Sequence, residues 1–306
     1  MNAEPSWDLY RTFLAVLQER SLSGAARRLG LTQPTVARHV DALEAAVGAD
    51  LFVRSQRGLA PTELALDLKP HAQTLAATSA ALLRTASGRA GEVRGTVRIS
   101  ASEIVGAELL PPLLADLRRH HPALVFELVL SNEVDDLLSR EADIAVRMVQ
   151  PAQGALVARR LPSIALGMHA HRGYLKRRGT PKSFDELFDH DLVGFDRETP
   201  AIRAALADLS GVDRSVFALR ADSDLAQLAA LRAGFGIGVC QVPVARRYSE
   251  LVRVLARDFA IELGMWVVMH EDLKTSLRYR VVFDALVAGL KMPAARGAQQ
   301  GARAPT

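Results

Sequence analysis

The sequence holds few of the residues from which a disulfide, a membrane anchor or a secretory signal is built. It contains one cysteine, Cys240, so no intramolecular disulfide can form, as is usual in a reducing cytoplasm. No apolar run approaches the roughly 18–20 residues needed to cross a bilayer. The segment Met1–Asp8 is acidic and lacks an apolar core, unlike a secretory signal. We therefore expect a cytoplasmic protein that spans no membrane.

The motifs of common enzyme classes are also missing. His120 and His121 are adjacent in sequence and would lie on different faces of a helix, so they make a poor metal site. His169 and His171 lack a cysteine or acidic partner at the usual ligand spacing. The glycines of Gly234–Gly238 follow a predicted helix and enter a strand, the reverse of a dinucleotide fingerprint. We predict no catalytic residue, no metal and no cofactor, and a buried, unreactive Cys240.

Net charge contributes little to the identification of a partner. The chain carries a formal charge of +4 with a pI near 9.5, which permits nucleic-acid binding without requiring it. Residues 1–61 contain seven arginines and six acidic residues, a net of only +1. At 306 residues the chain can bury two or three separate cores. A prediction of DNA binding must therefore rest on where the charged residues lie in the sequence, and not on the net charge.

The first thirty residues predict two short helices joined by a tight turn. Ser6 is a candidate N-cap for the first helix, whose apolar face consists of Leu9, Phe13, Val16 and Leu17. The second helix, within Ser21–Leu29, has a small inner side of Ala25 and Ala26, which allows a neighbouring helix to approach closely. Gly30 tolerates the positive φ that such a turn requires.

A third helix begins near Thr32, the predicted N-cap, with Pro34 in its first turn. A buried stripe follows at helical spacing: Val36, Val40, Leu43 and Val47. The opposite face is polar, and its side chains are of the kinds that reach base edges and phosphates in a helix-turn-helix. We predict DNA contacts from Thr32, Gln33, Pro34, Thr35, Arg38 and His39.

A short hairpin with arginines near its tip follows the third helix. Leu51–Arg54 and Leu59–Pro61 are predicted strands, and residues 55–58 form the turn. Arg54 and Arg57 are placed to contact the phosphate backbone as a wing. The alternative interpretation is a three-helix bundle whose polar face only meets water.

Residues 62–89 predict a long amphipathic helix. Its stripe consists of Leu64, Leu68, His71, Leu75, Thr78 and Leu82. The preceding domain is too small to cover this stripe, so a second copy of the chain is the expected partner. Pro70 is expected to kink the helix or weaken one turn. The alternative is a helix that packs along its own C-terminal domain.

After a break at Gly88–Gly91, strand-like and helix-like segments alternate, which predicts βαβ units and a parallel sheet. The predicted strands are 96–100, 125–130, 143–147, 164–168, 193–195, 216–219, 237–240 and 265–269. The predicted helices lie near 106–120, 133–140, after 183, from 222 to 232, and at 275–289. The tail 293–306 is expected to be disordered.

The N-terminal motifs resemble those of LysR-type transcriptional regulators. The resemblance rests on Ser23-Gly24-Ala25-Ala26-Arg27-Arg28-Leu29-Gly30-Leu31-Thr32-Gln33-Pro34-Thr35-Val36-Ala37-Arg38-His39-Val40, then Leu43-Glu44, Gly48 and Leu51-Phe52-Val53-Arg54. It extends over nearly the whole chain, but these residues carry most of its specificity. Ala37 replaces the family's usual serine, and the start of the long helix keeps Thr62 but loses the family's glycine.

The resemblance implies an architecture and a set of partners. It implies a winged helix-turn-helix (residues 1–61), a linker helix (62–91) and a two-lobed, type 2 periplasmic-binding-protein-like α/β module (92–292). The first lobe would comprise about 92–163 with 267–292, and the second about 164–266. Antiparallel pairing of linker helices would give a homodimer, often assembled into a homotetramer, on an interrupted inverted repeat in promoter DNA. RNA polymerase is a further candidate partner.

An effector site is predicted between the two lobes, where strand ends and helix N-termini favour an anion. Ser100 and Ser102 follow the first strand, Arg147 ends another, and Ser223 opens a helix in the second lobe. Phe195 could cover an apolar part of the ligand. Each has an alternative: the serines could only cap helices, Arg147 could form a surface ion pair, and Phe195 could belong to the core. We hypothesise a small organic acid as the effector.

The predicted function is therefore a sequence-specific DNA-binding transcriptional regulator, modulated by a small molecule, and not an enzyme. A solute receptor without DNA function is the main alternative, and the N-terminal unit argues against it. A cytoplasmic enzyme with a DNA-binding appendage would need a turnover site, and no motif for one is found.

Overall fold

The computed structural model describes residues 4–55, 58–86, 91–132, 142–150, 156–199, 202–203 and 212–291. The chain divides into two compact units, Met1–Ala86 with Asp135–Ala142, and Ser87–Val134 with Asp143–Thr306. Three predictions lie outside the described residues: the wing residue Arg57, the helix near 133–140 and the disordered tail 293–306.

The first unit is a three-helix domain with a hairpin and a long helix. Its elements are α1 (Trp7–Glu19), α2 (Leu22–Leu29), α3 (Gln33–Val47), β1 (Phe52–Ser55), β2 (Gly58–Pro61) and α4 (Glu63–Ala86). The predicted apolar faces meet in its core, where Phe13, Val16, Val36 and Leu43 are each at most 2% exposed. Two details were wrong. Val47, in the last turn of α3, is 38% exposed, and the Ser6 side chain makes no capping hydrogen bond.

The turn between α2 and α3 confirms the role predicted for Gly30. This residue has φ of +68°, in the left-handed region that glycine adopts without steric cost. Leu31 N–H then donates to the carbonyl of Ala26 at 3.0 Å, which closes the end of α2. The turn thereby fixes where α3 begins.

The hairpin is tied to α3 by Glu44, a residue of the N-terminal motif for which no contact was predicted. Glu44 Oε1 accepts the backbone N–H groups of Leu51 and Phe52 at 2.7 and 3.2 Å. β1 and β2 pair in antiparallel register from Phe52↔Pro61 to Ser55↔Gly58. Thr62 Oγ1 then accepts the N–H of Ala65 at 3.2 Å and caps α4.

The long helix α4 runs through Pro70 from Glu63 to Ala86. Its buried alanines, Ala65 and Ala72, pack with Phe13, Leu43 and Leu51 of the first domain. Most of its large apolar side chains are instead exposed on the single chain, by 36–73%: Leu64, Leu66, Leu75, Leu82 and Leu83. The small domain therefore covers only one side of the N-terminal half of α4.

The second unit is an α/β domain built on one sheet. Its strands are β3 (Gly95–Ala101), β4 (Leu124–Leu130), β5 (Ile144–Arg147), β6 (Leu156–His171), β7 (Leu192–Gly194), β8 (Phe217–Arg220), β9 (Ile237–Gln241), β10 (Leu251–Val254) and β11 (Ile261–His270). Its helices are α5 (Leu110–His120), α6 (Arg172–Arg178), α7 (Asp224–Arg232), α8 (Val242–Ala245) and α9 (Leu277–Lys291). A π-helical turn, Val105–Leu109, leads into α5, and short 3₁₀ turns occupy Asp185–Asp189, Arg214–Val216 and Glu271–Thr275.

The sheet is mixed rather than parallel throughout, which corrects the prediction. Its strand order is β4-β3-β5-β11-β6-β9-β7-β8, and β10 pairs with β6. Two parallel groups, β4-β3-β5 and β9-β7-β8, lie at its ends. The long strands β6 and β11 run antiparallel between these groups. An alternation of strands and helices predicts parallel strands, so it does not predict that β6 and β11 run antiparallel between the two groups.

Each parallel group has its own core, and we call the two halves the first and second lobes. The core of the first lobe includes Ile99, Leu110, Ile144 and Phe283. The core of the second lobe has two clusters, one around Tyr174 and Ile237 and the other around Leu231 and Val244. Because β6 and β11 contribute to both lobes, they are the chain crossings between them.

Candidate functional site

The polar face of α3 is the first candidate site. Thr32, Gln33, Pro34 and Arg38 are exposed, while Thr35 and His39 are half-buried. All six lie in or next to the first two turns of α3, so the helix brings them together as predicted. Arg54, on β1, is exposed as well.

The start of α3 is fixed by two threonines. Thr32 Oγ1 accepts the N–H of Thr35 at 3.3 Å, as an N-cap does. The two hydroxyl oxygens lie 2.8 Å apart and share a further hydrogen bond. The hydroxyl of Thr35 is therefore held against that of Thr32 in the first turn of α3.

Gln33 is held by a residue of the preceding helix. Ser23 Oγ, on α2, donates to Gln33 Oε1 at 2.9 Å. The amide oxygen of Gln33 is thereby drawn toward α2, although the side chain remains exposed. The pattern of α3 alone gave no sign of this contact.

The hydrogen bonds around His39 define which ring nitrogen carries a proton. Thr12 Oγ1, which is buried, donates to the carbonyl of Asp8 at 2.7 Å. A hydroxyl has only one proton, so the 2.9 Å contact with His39 Nδ1 requires the imidazole to donate. Neutral His39 therefore keeps its proton on Nδ1 and leaves Nε2 as an acceptor.

The second candidate site lies in the α/β domain, at the carboxyl ends of β3 and β5. Arg147 Nη2 donates to Ser100 Oγ at 2.7 Å, and both residues are at most 3% exposed. Arg147 Nη1 also donates to the carbonyl of Val146 at 3.3 Å. The structure thus brings together two predicted effector residues, and the interpretation of Arg147 as a surface residue was wrong.

Ser102 and Gln241 have buried polar atoms at strand ends. Ser102 Oγ and Gln241 Oε1 have no hydrogen-bond partner among the residues that the structure describes. Ser102 was predicted as an effector contact, but Gln241 was not. The signal was present: a polar residue ends the apolar strand β9, just as Arg147 ends β5. A buried group without a partner is costly, so both atoms are suited to bind a ligand.

Ser223 performs the capping role that was its alternative, and it also contacts the other lobe. Its Oγ accepts the N–H of Ala226 at 3.4 Å, at the start of α7. It also lies 2.8 Å from Glu103 Oε2 and donates to that carboxylate, which accepts the N–H of Leu225 at 3.2 Å as well. Glu103, directly after Ser102 in the first lobe, thus occupies the N-terminus of α7.

Asn132 extends this contact between the lobes. Its Oδ1 accepts the N–H of Glu103 at 3.1 Å, and its Nδ2 donates to Asp224 Oδ2 at 3.0 Å. Burial raises the pKa of the Asp224 carboxyl; the hydrogen bond from Asn132 opposes the rise, and the nearby Glu103 carboxylate adds to it. Two carboxylates therefore face each other across the lobes.

A second set of contacts joins the lobes near the π-helical turn. Glu108 Oε2 accepts a hydrogen bond from Tyr248 Oη at 2.9 Å, and the guanidinium of Arg247 donates to the Glu108 carbonyl. Arg232 stacks over the Tyr248 ring at 4.3 Å. Ile104 from the first lobe is 5% exposed and packs in the core of the second. None of these contacts was predicted, because their members are far apart in sequence.

Phe195 and Cys240 lie within the second lobe. Phe195 is 8% exposed and meets Phe217 edge to face, with ring centroids 4.9 Å apart. Cys240 is buried, as predicted, and its Sγ lies 3.4 Å from Nδ1 of buried His169. Burial raises the pKa of the Cys240 thiol to about 12, and burial also lowers the pKa of His169. A neutral thiol of this kind is a poor nucleophile.

A cavity of about 300 Å³ lies on the crossing strands, lined by Gln150, Ala158, Arg160 and Trp266. Within the described ranges, no three histidine, cysteine or acidic side chains come together as metal ligands would. None of the helices in the described part of the chain combines the length and apolar character that crossing a bilayer requires.

Comparison with protein families matches both units. Residues 7–66 match the model described as "Bacterial regulatory helix-turn-helix protein, lysR family", and residues 90–291 match that of the "LysR substrate binding domain". The second match alone covers more than half of the chain.

Individual proteins are similar over much of the chain. The HTH-type transcriptional regulator CrgA of Neisseria meningitidis serogroup C (strain 8013) is 28% identical over 286 residues, which is 91% of this chain and 95% of that protein. An HTH-type transcriptional regulator of Xanthomonas campestris pv. campestris (strain 8004) is 33% identical over 182 residues, 58% of this chain but only 52% of that relative. The solved structure of CrgA has a TM-score of 0.58 at 27% identity and covers 92% of this chain and 98% of its own.

Proposed function

The chain belongs to the LysR family of DNA-binding transcriptional regulators with an effector-binding domain, and we propose that it reads an interrupted inverted repeat in promoter DNA under the control of a small organic acid. It is a regulator and not an enzyme. The observation that carries the proposal is the polar face of α3, where Gln33 and Arg38 are exposed. Hydrogen bonds with Thr32, Ser23 and Thr12 hold Thr35, Gln33 and His39 of this face in place.

On the DNA, Gln33, Thr35 and Arg38 are the proposed base readers, as the N-terminal part of a recognition helix requires. Arg54 and Arg57 supply contacts to phosphate, which are independent of sequence and sensitive to salt. His39, on the same face of α3, is a further proposed contact with the DNA.

LysR regulators oligomerise, and the exposed leucines of α4 are the proposed pairing surface. Antiparallel pairing of two α4 helices would cover Leu75 and Leu82 and give a homodimer with two recognition helices. The alternative, in which α4 packs along its own C-terminal domain, predicts a monomer. Two dimers would form the homotetramer expected from the family.

In the α/β domain, the proposed effector contacts are Ser100, Ser102 and Arg147 from the first lobe, with Phe195 and Ser223 from the second. The buried guanidinium of Arg147 and the unpartnered Ser102 Oγ favour an anion with further acceptor oxygens. We infer that the effector alters how the lobes meet, and that this changes the spacing of half-sites held by the oligomer. The ligand shifts this equilibrium only by its difference in affinity for the two arrangements.

A gel-shift assay tests the DNA function directly. The probes are the DNA upstream of the chain's own gene and the DNA shared with its divergent neighbour, with and without a pool of carboxylic acids. We expect a specific complex that the acids modify. No binding to either probe at low salt would favour a solute receptor instead.

Calorimetry tests the effector site. Purified protein is titrated with small carboxylates, and Ser102→Ala and Arg147→Ala are compared with the wild type. We expect both variants to bind more weakly, with Arg147→Ala the more affected because it loses a charged donor. Equal binding by all three proteins would remove the site assignment but leave the DNA function intact.

A further inference from the structure

The N-terminus of α7 is already occupied by a carboxylate of the protein itself. Glu103 Oε2 accepts the N–H of Leu225 at 3.2 Å, and Ser223 Oγ accepts the N–H of Ala226 at 3.4 Å. A helix N-terminus attracts anions through such N–H groups, and each of them carries a single hydrogen. These two donors are therefore engaged within the chain and are not available to the carboxylate of a ligand.

The same end of α7 carries a second acidic side chain. Asp224 is the first residue of α7, and Asn132 Nδ2 of the first lobe donates to its Oδ2 at 3.0 Å. Ser223 Oγ donates its only proton to Glu103 Oε2 at 2.8 Å. The two carboxylates of this contact between the lobes, Glu103 and Asp224, are both negative when ionised, so it is a poor place for a further anion.

The carboxyl ends of β3 and β5 in the first lobe offer the opposite environment. Arg147 is 3% exposed, and its guanidinium donates to Ser100 Oγ at 2.7 Å. The buried Ser102 Oγ has no hydrogen-bond partner among the residues that the structure describes. A guanidinium and hydroxyl groups are suited to bind a carboxylate. The proposed effector site therefore has a positive end in the first lobe and a negative end where the lobes meet.

A ligand that contacts Ser223 also meets Glu103. Because Ser223 Oγ and Glu103 Oε2 lie 2.8 Å apart, a ligand atom that forms a hydrogen bond with the Ser223 hydroxyl lies within about 6 Å of the Glu103 carboxylate. In a partly buried site, a like charge at that distance lowers the affinity roughly tenfold or more. An ammonium group at the same place is attracted instead.

We propose that Glu103 is a specificity residue of the effector site, which rejects a second carboxylate and accepts an ammonium group at the second lobe. The effector is then an acid with one anionic group, bound by Arg147, and a cationic donor at its far end. The inference deepens the proposed function and rests on it, because it requires that a small organic acid binds between the lobes.

The experiment is titration calorimetry of the full chain at neutral pH with acids of equal length that differ only in their second end. The probes are glutarate, valerate and ω-aminovalerate, with their homologues of about four to eight carbons. At the length that fits, the wild type should bind the amino acid at least roughly tenfold more tightly than the dicarboxylate, with the plain monocarboxylate between them.

Glu103→Gln removes the charge but keeps an oxygen that can accept from Ser223 and Leu225. In this variant the affinity ratio of amino acid to dicarboxylate should fall to near one. Glu127→Gln is the matched control, because Glu127 is an exposed carboxylate of the same lobe that pairs with Arg98 at 3.0 Å. Its ratio should equal that of the wild type.

The outcomes separate this inference from the function on which it rests. A wild type that binds the dicarboxylate as tightly as the amino acid overturns the role of Glu103, and this comparison needs no variant to fold. An equal ratio in Glu103→Gln and the wild type overturns it as well, as does an equal fall of the ratio in Glu127→Gln. If the wild type binds no acid of the series, the proposed organic-acid effector fails and the inference fails with it.

Discussion

The recognition helix and the contact between the lobes use polar side chains in opposite ways. At the start of α3 the bonded partners are close in sequence, with Ser23 and Gln33 ten residues apart, and the Gln33 side chain stays exposed. Between the lobes the partners are far apart, with Glu103 and Ser223 separated by 120 residues, and they are partly buried. The first arrangement presets groups for a partner that arrives from solvent. In the second, the protein's own groups already bind one another, so a ligand must replace contacts that exist without it.

The largest expected effect concerns the exposed leucines of α4, the proposed pairing surface between two copies of the chain. Leu75→Asp with Leu82→Asp places two charges on the exposed stripe of α4, and we expect a monomer in sedimentation experiments. Loss of the second recognition helix should weaken binding to a two-half-site DNA on the order of a hundredfold. Ala80→Asp, at an exposed position of the same helix that lies off the side carrying Leu75 and Leu82, is the matched control. A double variant that remains dimeric contradicts the assignment of this surface.

Arg38→Ala tests whether the exposed face of α3 reads DNA. Loss of a charged contact to a base or phosphate should weaken specific binding roughly tenfold or more, as measured by fluorescence anisotropy. Arg203→Ala is the control, because Arg203 is an exposed arginine of the α/β domain that pairs with Glu198 at 2.8 Å. If both variants lose affinity equally, general charge rather than α3 accounts for binding.

The wing should show a smaller, sequence-independent effect. Arg57→Ala and Arg54→Ala should each weaken all DNAs alike by a few-fold and reduce the slope of log affinity against log salt by about one. Titration at several salt concentrations measures this slope. A change of sequence preference in either variant would refute the phosphate-binding role.

The smallest expected effect is a change in Tm from a substitution in the partly buried contact between the lobes. Because burial raises the pKa of Asp224, its ionised form costs stability above that pKa, and the cost vanishes as pH falls below the ordinary value for aspartate. Asp224→Asn should therefore raise Tm by about 2 °C at neutral pH and leave it unchanged in acid.

Asp213 provides the control of opposite sign. Its pKa is lowered, chiefly by the Ser215 hydroxyl, so its ionised form adds stability above the ordinary pKa of aspartate. Asp213→Asn should lower Tm at neutral pH. Thermal melts of both variants across pH check the signs, and a gain for Asp224→Asn that persists in acid contradicts the burial argument.

The first unit could be predicted because its determinants are local. The stripe of α3, the turn at Gly30 and the cap at Thr62 each depend on residues within a few positions of one another. The errors there are at helix ends. Val47, in the last turn of α3, is exposed instead of buried, and the Ser6 side chain makes no capping hydrogen bond.

The sheet was harder to predict because its long strands are not uniform in sequence. β6 begins at Leu156, but Arg159, Arg160 and Pro162 interrupt its apolar pattern, so only its second half was predicted. Pro162 lies where the pairing with β11 shifts register, between Leu161 and Ile164, and there its missing N–H is tolerated. β10 has four residues and was missed.

The candidate effector site shows the same limit. Ser100 and Arg147 were predicted singly from strand ends, but their hydrogen bond spans 47 residues. The contacts of Asn132 with Glu103 and Asp224 could not be predicted from any local pattern. They form only because the two lobes fold around the same pair of long strands.

Sequence reading by α3 can be measured as the affinity of the wild type for its own promoter DNA compared with its affinity for a randomised duplex, at about 0.15 M salt. If α3 reads sequence, the promoter should bind at least about a thousandfold more tightly than the randomised DNA, and Arg38→Ala should remove most of that ratio. Equal affinity for the two DNAs would contradict the account.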